Sequence, residues 1–224
     1  MIAAMVFAAG LGTRMRPLTD DRPKALVRVA GRPLIDHALE QVAGPGPLVV
    51  NAHHHAEKLS AHLAGRPGVA LSMEEGLLLE TGGGLRHALP LLGPGPVLTM
   101  NSDAVWTGPT ARRALLTAWD PERMDGLLLM VPRTRALGQA GGSFRIGPDG
   151  RLIRDREGLV YTGAGIVKTE GLAAFPDPVF SLRDLWFAML AEGRLYGCLH
   201  EGGWADVGTP DGIAPAEAML RQAA

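Results

Sequence analysis

The chain has 224 residues, a formal net charge of −1 and a mean hydropathy of +0.10, which excludes a disordered polymer and leaves no overall field to hold nucleic acid or an anionic membrane. A single cysteine, Cys198, forbids an internal disulfide and cannot make a zinc site alone, so a reducing cytoplasm is expected. No apolar run approaches the roughly 18 residues of a membrane span, and the apolar residues 1–9 lack a preceding positive charge and are too short for a signal peptide.

Residues 2–8, with Ile2, Met5, Val6 and Phe7 among small alanines, read as a buried strand that breaks into Gly10-Leu11-Gly12-Thr13-Arg14. Residues 34–42 read as a helix behind Pro33, 47–51 as a strand, 57–64 as a helix and 69–73 as a strand. Gly82-Gly83-Gly84 then opens a helix over 85–92, with Thr81 as a candidate cap and a stop near Pro94. A strand over 96–100, a helix over 111–119 and a strand over 126–131 complete the first half. This alternation predicts an α/β fold, a mostly parallel sheet flanked by helices.

After about residue 135 the texture changes, although no linker, repeat or low-complexity tract intervenes. Two short strands around Gly147-Pro148-Asp149-Gly150 give a hairpin signal. A glycine-interrupted strand follows over 158–168. Ser181 to Asp184 resembles a capping box for a helix ending at Gly193, a further strand holds Cys198, and Thr209-Pro210 opens a closing helix. The expectation is one domain, 1–224, whose second half adds a small antiparallel region over the carboxyl edge of the sheet.

Four stretches carry chemistry. In an open parallel sheet ligands bind outside the carboxyl ends of the strands, where the loop Gly10 to Arg14 lies. Its amides can face a phosphate chain, Arg14 adds a charged fork, and Lys24, one of only three lysines, adds a point charge. The spacing matches neither the Gly-x-x-x-x-Gly-Lys phosphate loop nor Gly-x-Gly-x-x-Gly, and a tight turn with solvated arginines is the plain alternative. "VLTMNSD" ends an apolar strand in Asn101-Ser102-Asp103, where a turn cap is the bland reading of Asp103. "GGWADVGTPDG" sets Asp206 in a segment otherwise built to be packed, and an acid so placed usually has a partner. Two such carboxylates with phosphate oxygens and waters suit Mg²⁺. "LETGGGLRHAL" lets a flat ring or a phosphate approach the backbone, or merely packs closely. The histidines at 53–55 and His62 do not form a zinc motif.

"AAGLGTRMRPLTDDRPKAL", "LETGGG", "NSD" and "WADVGT" together resemble the sugar-phosphate nucleotidyltransferases, Rossmann-like enzymes that make nucleotide sugars, from one end of the chain to the other. The likeness is greatest to the short bacterial N-acetylmuramate 1-phosphate uridylyltransferases of peptidoglycan recycling. It implies a nucleotide-binding part over about 1–130 and a sugar-phosphate-binding part over about 135–224. It further implies that Ala9, Gly10, Leu11, Gly12 and Thr13 line a nucleoside triphosphate, UTP in the uridylyl reading. Arg14 would meet its phosphates, Lys24 would neutralise the α-phosphate and Gly82 would lie beside the base. Asp103 and Asp206 would hold Mg²⁺. Glu80, Asn101, Gly163 and Gly165 would border the sugar phosphate.

The chain departs from that pattern in three places. Ser102 replaces a glycine, Ser143 stands where the recycling enzymes carry an aspartate that reaches the sugar, and no lysine fills the usual second basic position, leaving Arg154, Arg156 or Lys168 as stand-ins. Guanylyl or cytidylyl transfer to mannose, heptose or choline phosphate, and an inactive sugar-nucleotide sensor, stay open. A monomer is the simplest assembly.

Overall fold

The computed structural model describes residues 1–139 and 141–223. In chain order the elements are β1 (Ala3–Phe7), the short pair β2 (Arg28–Val29) and β3 (Arg32–Pro33), α1 (Leu34–Val42), β4 (Leu48–Ala52), α2 (Ala56–Leu63), β5 (Val69–Met73), α3 (Glu80–Leu92), β6 (Val97–Asn101), β7 (Ala104–Trp106), α4 (Ala111–Ala118) and β8 (Gly126–Val131). The second half adds β9 (Ala136–Leu137), the hairpin β10 (Phe144–Ile146) and β11 (Leu152–Arg154), β12 (Val160–Val167), α5 (Leu182–Ala191), β13 (Leu195–Leu199), β14 (Trp204–Asp206) and α6 (Ile213–Ala223).

A seven-stranded sheet runs β13-β8-β12-β6-β1-β4-β5. Its strands are parallel except β12, which lies antiparallel to both β6 and β8. Side chains alternate across a strand. Ala4, Val6 and Ala8 therefore join a core with Ile35, Leu59 and Leu115, while Ala3 and Met5 join a second core with Leu85 and Leu185. Burial on both faces is why β1 reads as an unbroken apolar run rather than an alternating one. A third cluster, with Met15, Val27, Val105, Val207 and Ala216, fastens the chain after the glycine loop to β7, β14 and α6.

The texture change near residue 135 does not divide the core. β12 is inserted between β8 and β6, and β13 forms the sheet edge beyond β8, so the second half completes the main sheet as well as adding small antiparallel pieces. A glycine-interrupted strand fits there because Gly163 takes a positive φ of 84° and the pairing with β8 shifts register between Tyr161 and Gly165. α3 also departs from expectation, since it starts at Glu80 and carries the three glycines inside. Each interior glycine costs about 1 kcal/mol relative to alanine, and close packing compels them. A Cβ on Gly82 would lie 2.4 Å from the Phe180 ring, one on Gly83 2.1 Å from the Pro178 carbonyl oxygen, and one on Gly84 2.7 Å from Glu74 Oε1. Among the described residues no helix is long and apolar enough to cross a membrane.

Arg112 of α4 is a buried charge used structurally. It is 7% exposed and donates to the carbonyl oxygens of Val42 (3.3 Å), Ile2 (3.2 Å) and Pro45 (2.6 Å), tying α1 and the entry to β1 together. Leaving such carbonyls without a donor costs roughly 1–3 kcal/mol. Arg112→Ala is expected to lower unfolding free energy by about 2 kcal/mol in urea titration while kcat/KM stays at the wild-type level below the melting transition. Unchanged stability would remove this role.

Candidate active site

β1 and β6 end side by side, with Phe7 paired to Asn101, and the chain beyond each forms the wall of a cleft lined by Ala9, Gly10, Lys24, Glu80, Asn101 and Asp103. The loop after β1 is open to solvent at Gly10, Leu11, Thr13 and Arg14. Gly12 takes a φ of +64°, and a Cβ there would lie 3.1 Å from both Lys24 Cβ and Thr19 Cγ2. The Gly12 carbonyl accepts from Thr19 Oγ1 at 2.8 Å. A glycine is thus needed for the loop to close over the lysine. The exposed loop residues, the Arg14 guanidinium and the Lys24 ammonium give this rim groups that suit an anion.

The two acids are brought together by strand pairing. β7 and β14 run antiparallel with Asp206 opposite Ala104, and the Val207 amide donates to the Asp103 carbonyl at 2.8 Å. Asp103 Oδ2 accepts from Lys24 Nζ at 2.8 Å. Asp206 Oδ2 accepts from Gln139 Nε2 at 3.0 Å, and a Cβ on Gly208 would meet Asp206 Oδ2 at 2.8 Å and Arg14 Nη1 at 3.3 Å. Burial raises the Asp206 carboxyl above the ordinary carboxylate range, and the Asp103 charge pushes the same way; Lys24, Gln139 and Arg14 oppose the shift. A small hard cation relieves this kind of repulsion. Two oxygen donors with room for phosphate and water suit Mg²⁺, and among the described residues no group of three or more His, Cys, Asp or Glu forms a complete protein cage.

Behind the cleft lies a buried relay that the sequence did not reveal. The Ala8 amide donates to Asn51 Oδ1 at 2.7 Å, Asn51 Nδ2 donates to Glu74 Oε1 at 2.6 Å, and Glu74 Oε2 accepts from the Leu79 amide at 2.9 Å. Glu74 is 4% exposed. The chain of contacts links the start of the glycine loop to the entry of α3, where Glu80 is held at a φ of 58°. Its direction is fixed, because an amide that must accept from Ala8 can only offer its NH₂ to Glu74. Glu74→Gln sets two NH₂ groups against each other or costs the Leu79 bond. It is expected to raise the KM for nucleotide about tenfold, given roughly 1.5–3 kcal/mol for a bond to a charged group. Unchanged KM and stability would make the relay incidental.

The sequence-named residues on α3 separate. Glu80 and Thr81 line the cleft, and Thr81 Oγ1 accepts from the Leu182 amide at 3.0 Å instead of capping the helix. Gly82 turns its Cβ direction into Phe180, and its amide donates to the Phe180 carbonyl at 2.9 Å, so the packing alternative for these glycines describes what is seen. On β12, Gly163 lies against Asn101, where a Cβ would sit 2.9 Å from the Asn101 Cβ. Gly165 lies deeper in the sheet, paired with Thr99 and Leu128, away from the edge. Lys168 pairs with Asp125 at 2.9 Å, as does Arg194 at 2.7 Å, past the far end of β12, and so is not a stand-in at the site. Arg154 and Arg156 line a second cavity with Ser143, Tyr161, Arg183 and Trp186.

Residues 4–192 match the family model of the MobA-like NTP transferase domain. The chain is 47% identical to an N-acetylmuramate alpha-1-phosphate uridylyltransferase of Caulobacter vibrioides, across 98% of this chain and 97% of that protein. A protein of the same name from Neisseria meningitidis serogroup B is 35% identical, across 96% and 97%. Among solved structures, the inositol-1-phosphate CTP transferase from T. maritima superposes with a TM-score of 0.76 at 16% identity, across 99% of this chain and 96% of that one. At that identity the likeness concerns the fold alone.

Proposed function

The chain belongs to the MobA-like NTP transferase family, and on that premise we propose that it transfers a uridylyl group from UTP to N-acetylmuramate 1-phosphate, releasing pyrophosphate. An oxygen of the sugar phosphate attacks the α-phosphorus, the α–β phosphoanhydride bond breaks, and its electron pair leaves with pyrophosphate. The nucleophile is already an anion at neutral pH, so no serine, cysteine or histidine base is required. What remains is to align two anions and neutralise the charge of the transition state.

The chain's own residues divide that work. Ala9, Gly10, Leu11, Gly12 and Thr13 present the loop that cradles the triphosphate, and Arg14 forks onto its outer phosphates. Lys24 supplies the positive charge at the α-phosphate, its ammonium already oriented by Asp103. Asn101 and Gly163 border the sugar phosphate and Glu80 is the candidate for its hydroxyls. Asp103 and Asp206 would hold Mg²⁺, which when bound supplies Lewis-acid neutralisation of the phosphate oxygens. The single observation that carries the reading is the β7–β14 pairing, which joins Asp206 to the Asp103–Lys24 pair beside the phosphate loop.

The test is pyrophosphate release with Mg²⁺, crossing UTP, GTP, CTP, dTTP and ATP with the 1-phosphates of N-acetylmuramic acid, N-acetylglucosamine, glucose and mannose. The reading expects the highest kcat/KM for UTP with N-acetylmuramate 1-phosphate. Preference for another pair would move the substrate and keep the chemistry, and nucleotide binding without any turnover would favour a sensor.

A further inference from the structure

The cavity beside β12 has a composition that the nucleotidyl chemistry does not use. Its volume is about 570 Å³, within the range of about 300–1,000 Å³ usual for small-molecule sites. One wall is aromatic, with Tyr161 and Trp186 edge to face at 4.8 Å between centroids. The Arg154 guanidinium lies 4.9 Å from the centre of the Phe187 ring, and Arg156 and Arg183 complete the lining.

Several guanidinium groups elsewhere are ion-paired, among them Arg22 with Asp21, Arg32 with Glu40, Arg66 with Asp36 and Arg194 with Asp125. Among the described residues, no ion pair engages Arg154, Arg156 or Arg183. The cavity's one carboxylate, Asp155, spends an oxygen on the Glu157 amide at 2.9 Å. Three unpaired forks over an aromatic floor make a site for a planar anion attached to a partly apolar body.

The cavity adjoins the proposed active site in two ways. Tyr161 lines it and belongs to β12, the strand that carries Gly163 of the proposed site. Leu182, bonded to Thr81 of the main cleft, directly precedes Arg183. Gly163, which lies against Asn101, is two residues from Tyr161 on β12, so a sugar phosphate bordered by Asn101 and Gly163 has the Tyr161 edge of this cavity as a neighbour. N-acetylmuramate differs from N-acetylglucosamine by one lactyl ether, that is, one carboxylate with a methyl group.

We infer that the cavity formed by Arg154, Arg156, Arg183, Tyr161 and Trp186 binds a carboxylate borne by the sugar, and that its arginines set the preference for an acidic over a neutral N-acetylhexosamine 1-phosphate. The inference deepens the proposed function and rests on it for the sugar's position. The arginine side chains are exposed, so their removal leaves the fold intact.

With UTP and Mg²⁺, the double variant Arg154→Ala, Arg183→Ala is expected to raise the KM for N-acetylmuramate 1-phosphate about 10- to 100-fold. The KM values for UTP and for N-acetylglucosamine 1-phosphate stay unchanged. An equal rise for both sugar phosphates would overturn the inference and assign the arginines to the phosphate, and no rise for either would also overturn it. Calorimetry with unphosphorylated N-acetylmuramate gives a readout that needs no turnover: binding by the wild type that weakens at least about tenfold in the double variant supports the inference. Equal affinity in both overturns it even where uridylyl transfer is confirmed. Carboxylate-dependent binding without transfer to any sugar phosphate would instead overturn the proposed function.

Discussion

Lys24→Ala is expected to lower kcat by about 10²- to 10³-fold, the loss of roughly 3–4 kcal/mol that follows removal of one preorganised donor to a developing oxyanion. Lys24 is partly buried, with 15% of its side chain exposed, and its ammonium contacts Asp103 at 2.8 Å. Binding of substrates exploits the same charge only in part, because the α-phosphate gains negative charge as the new bond forms. The effect therefore falls mainly on kcat, with a smaller one on KM. Stability changes little, since a partly exposed ion pair contributes about 1 kcal/mol or less. Steady-state kinetics beside a thermal melt decide it. A melting temperature that falls in step with activity would mean that Lys24 holds the loop rather than the transition state.

Asp206→Asn is expected to abolish more than about 99% of activity, the several kcal/mol that a cation on the reacting phosphate supplies, and at the same time to stabilise the metal-free protein. The sign follows from the raised pKa. An acid whose pKa rises on folding binds its proton more tightly in the folded chain, so its contribution favours folding at low pH. That contribution is lost as pH climbs from the ordinary value of 3.8 through the raised folded value. At pH 7 the ionised Asp206 is therefore a cost, imposed by burial and by Asp103, which asparagine removes. In EDTA the variant should melt above the wild type at pH 7, with the gap closing toward pH 4. Added Mg²⁺ with nucleotide should raise the wild-type melting temperature and leave the variant's nearly unmoved. A variant that melts lower at pH 7 would mean that Asp206 holds the fold together.

The parts of the site carried by short local signals were legible in the sequence. An apolar run that breaks into Gly10-Leu11-Gly12 points to a strand end, and β1 ends at Phe7, just before the glycines. The acids at the ends of two separate segments could be named, but their adjacency depends on the register of β7 against β14, which no local pattern encodes. Glu74 was hidden because an acid in "SMEEGLLLE" looks like a solvated turn, whereas it is buried against Asn51 on the neighbouring strand β4. At Gly82 and Gly165 the structure supplies a packing reason that the sequence does not show. Each is a glycine near functional residues, and each is explained by the neighbour its missing side chain makes room for, Phe180 in one case and Leu127 with Leu128 in the other. The insertion of β12 into the main sheet was equally invisible, since no local pattern in residues 158–168 names the strands it pairs with.

The most direct test of the catalytic assignment is a ³¹P NMR time course of UTP and N-acetylmuramate 1-phosphate with Mg²⁺, run with the wild-type enzyme and with Asp206→Asn. The account predicts that in the wild type the sugar-phosphate and triphosphate signals give way to a nucleotide-sugar diphosphate and free pyrophosphate in equal amounts, while the variant leaves both substrates intact over the same period. Product formation at comparable rates by the two proteins would contradict the placement of Asp206, with Asp103 and Lys24, at the centre of the reaction.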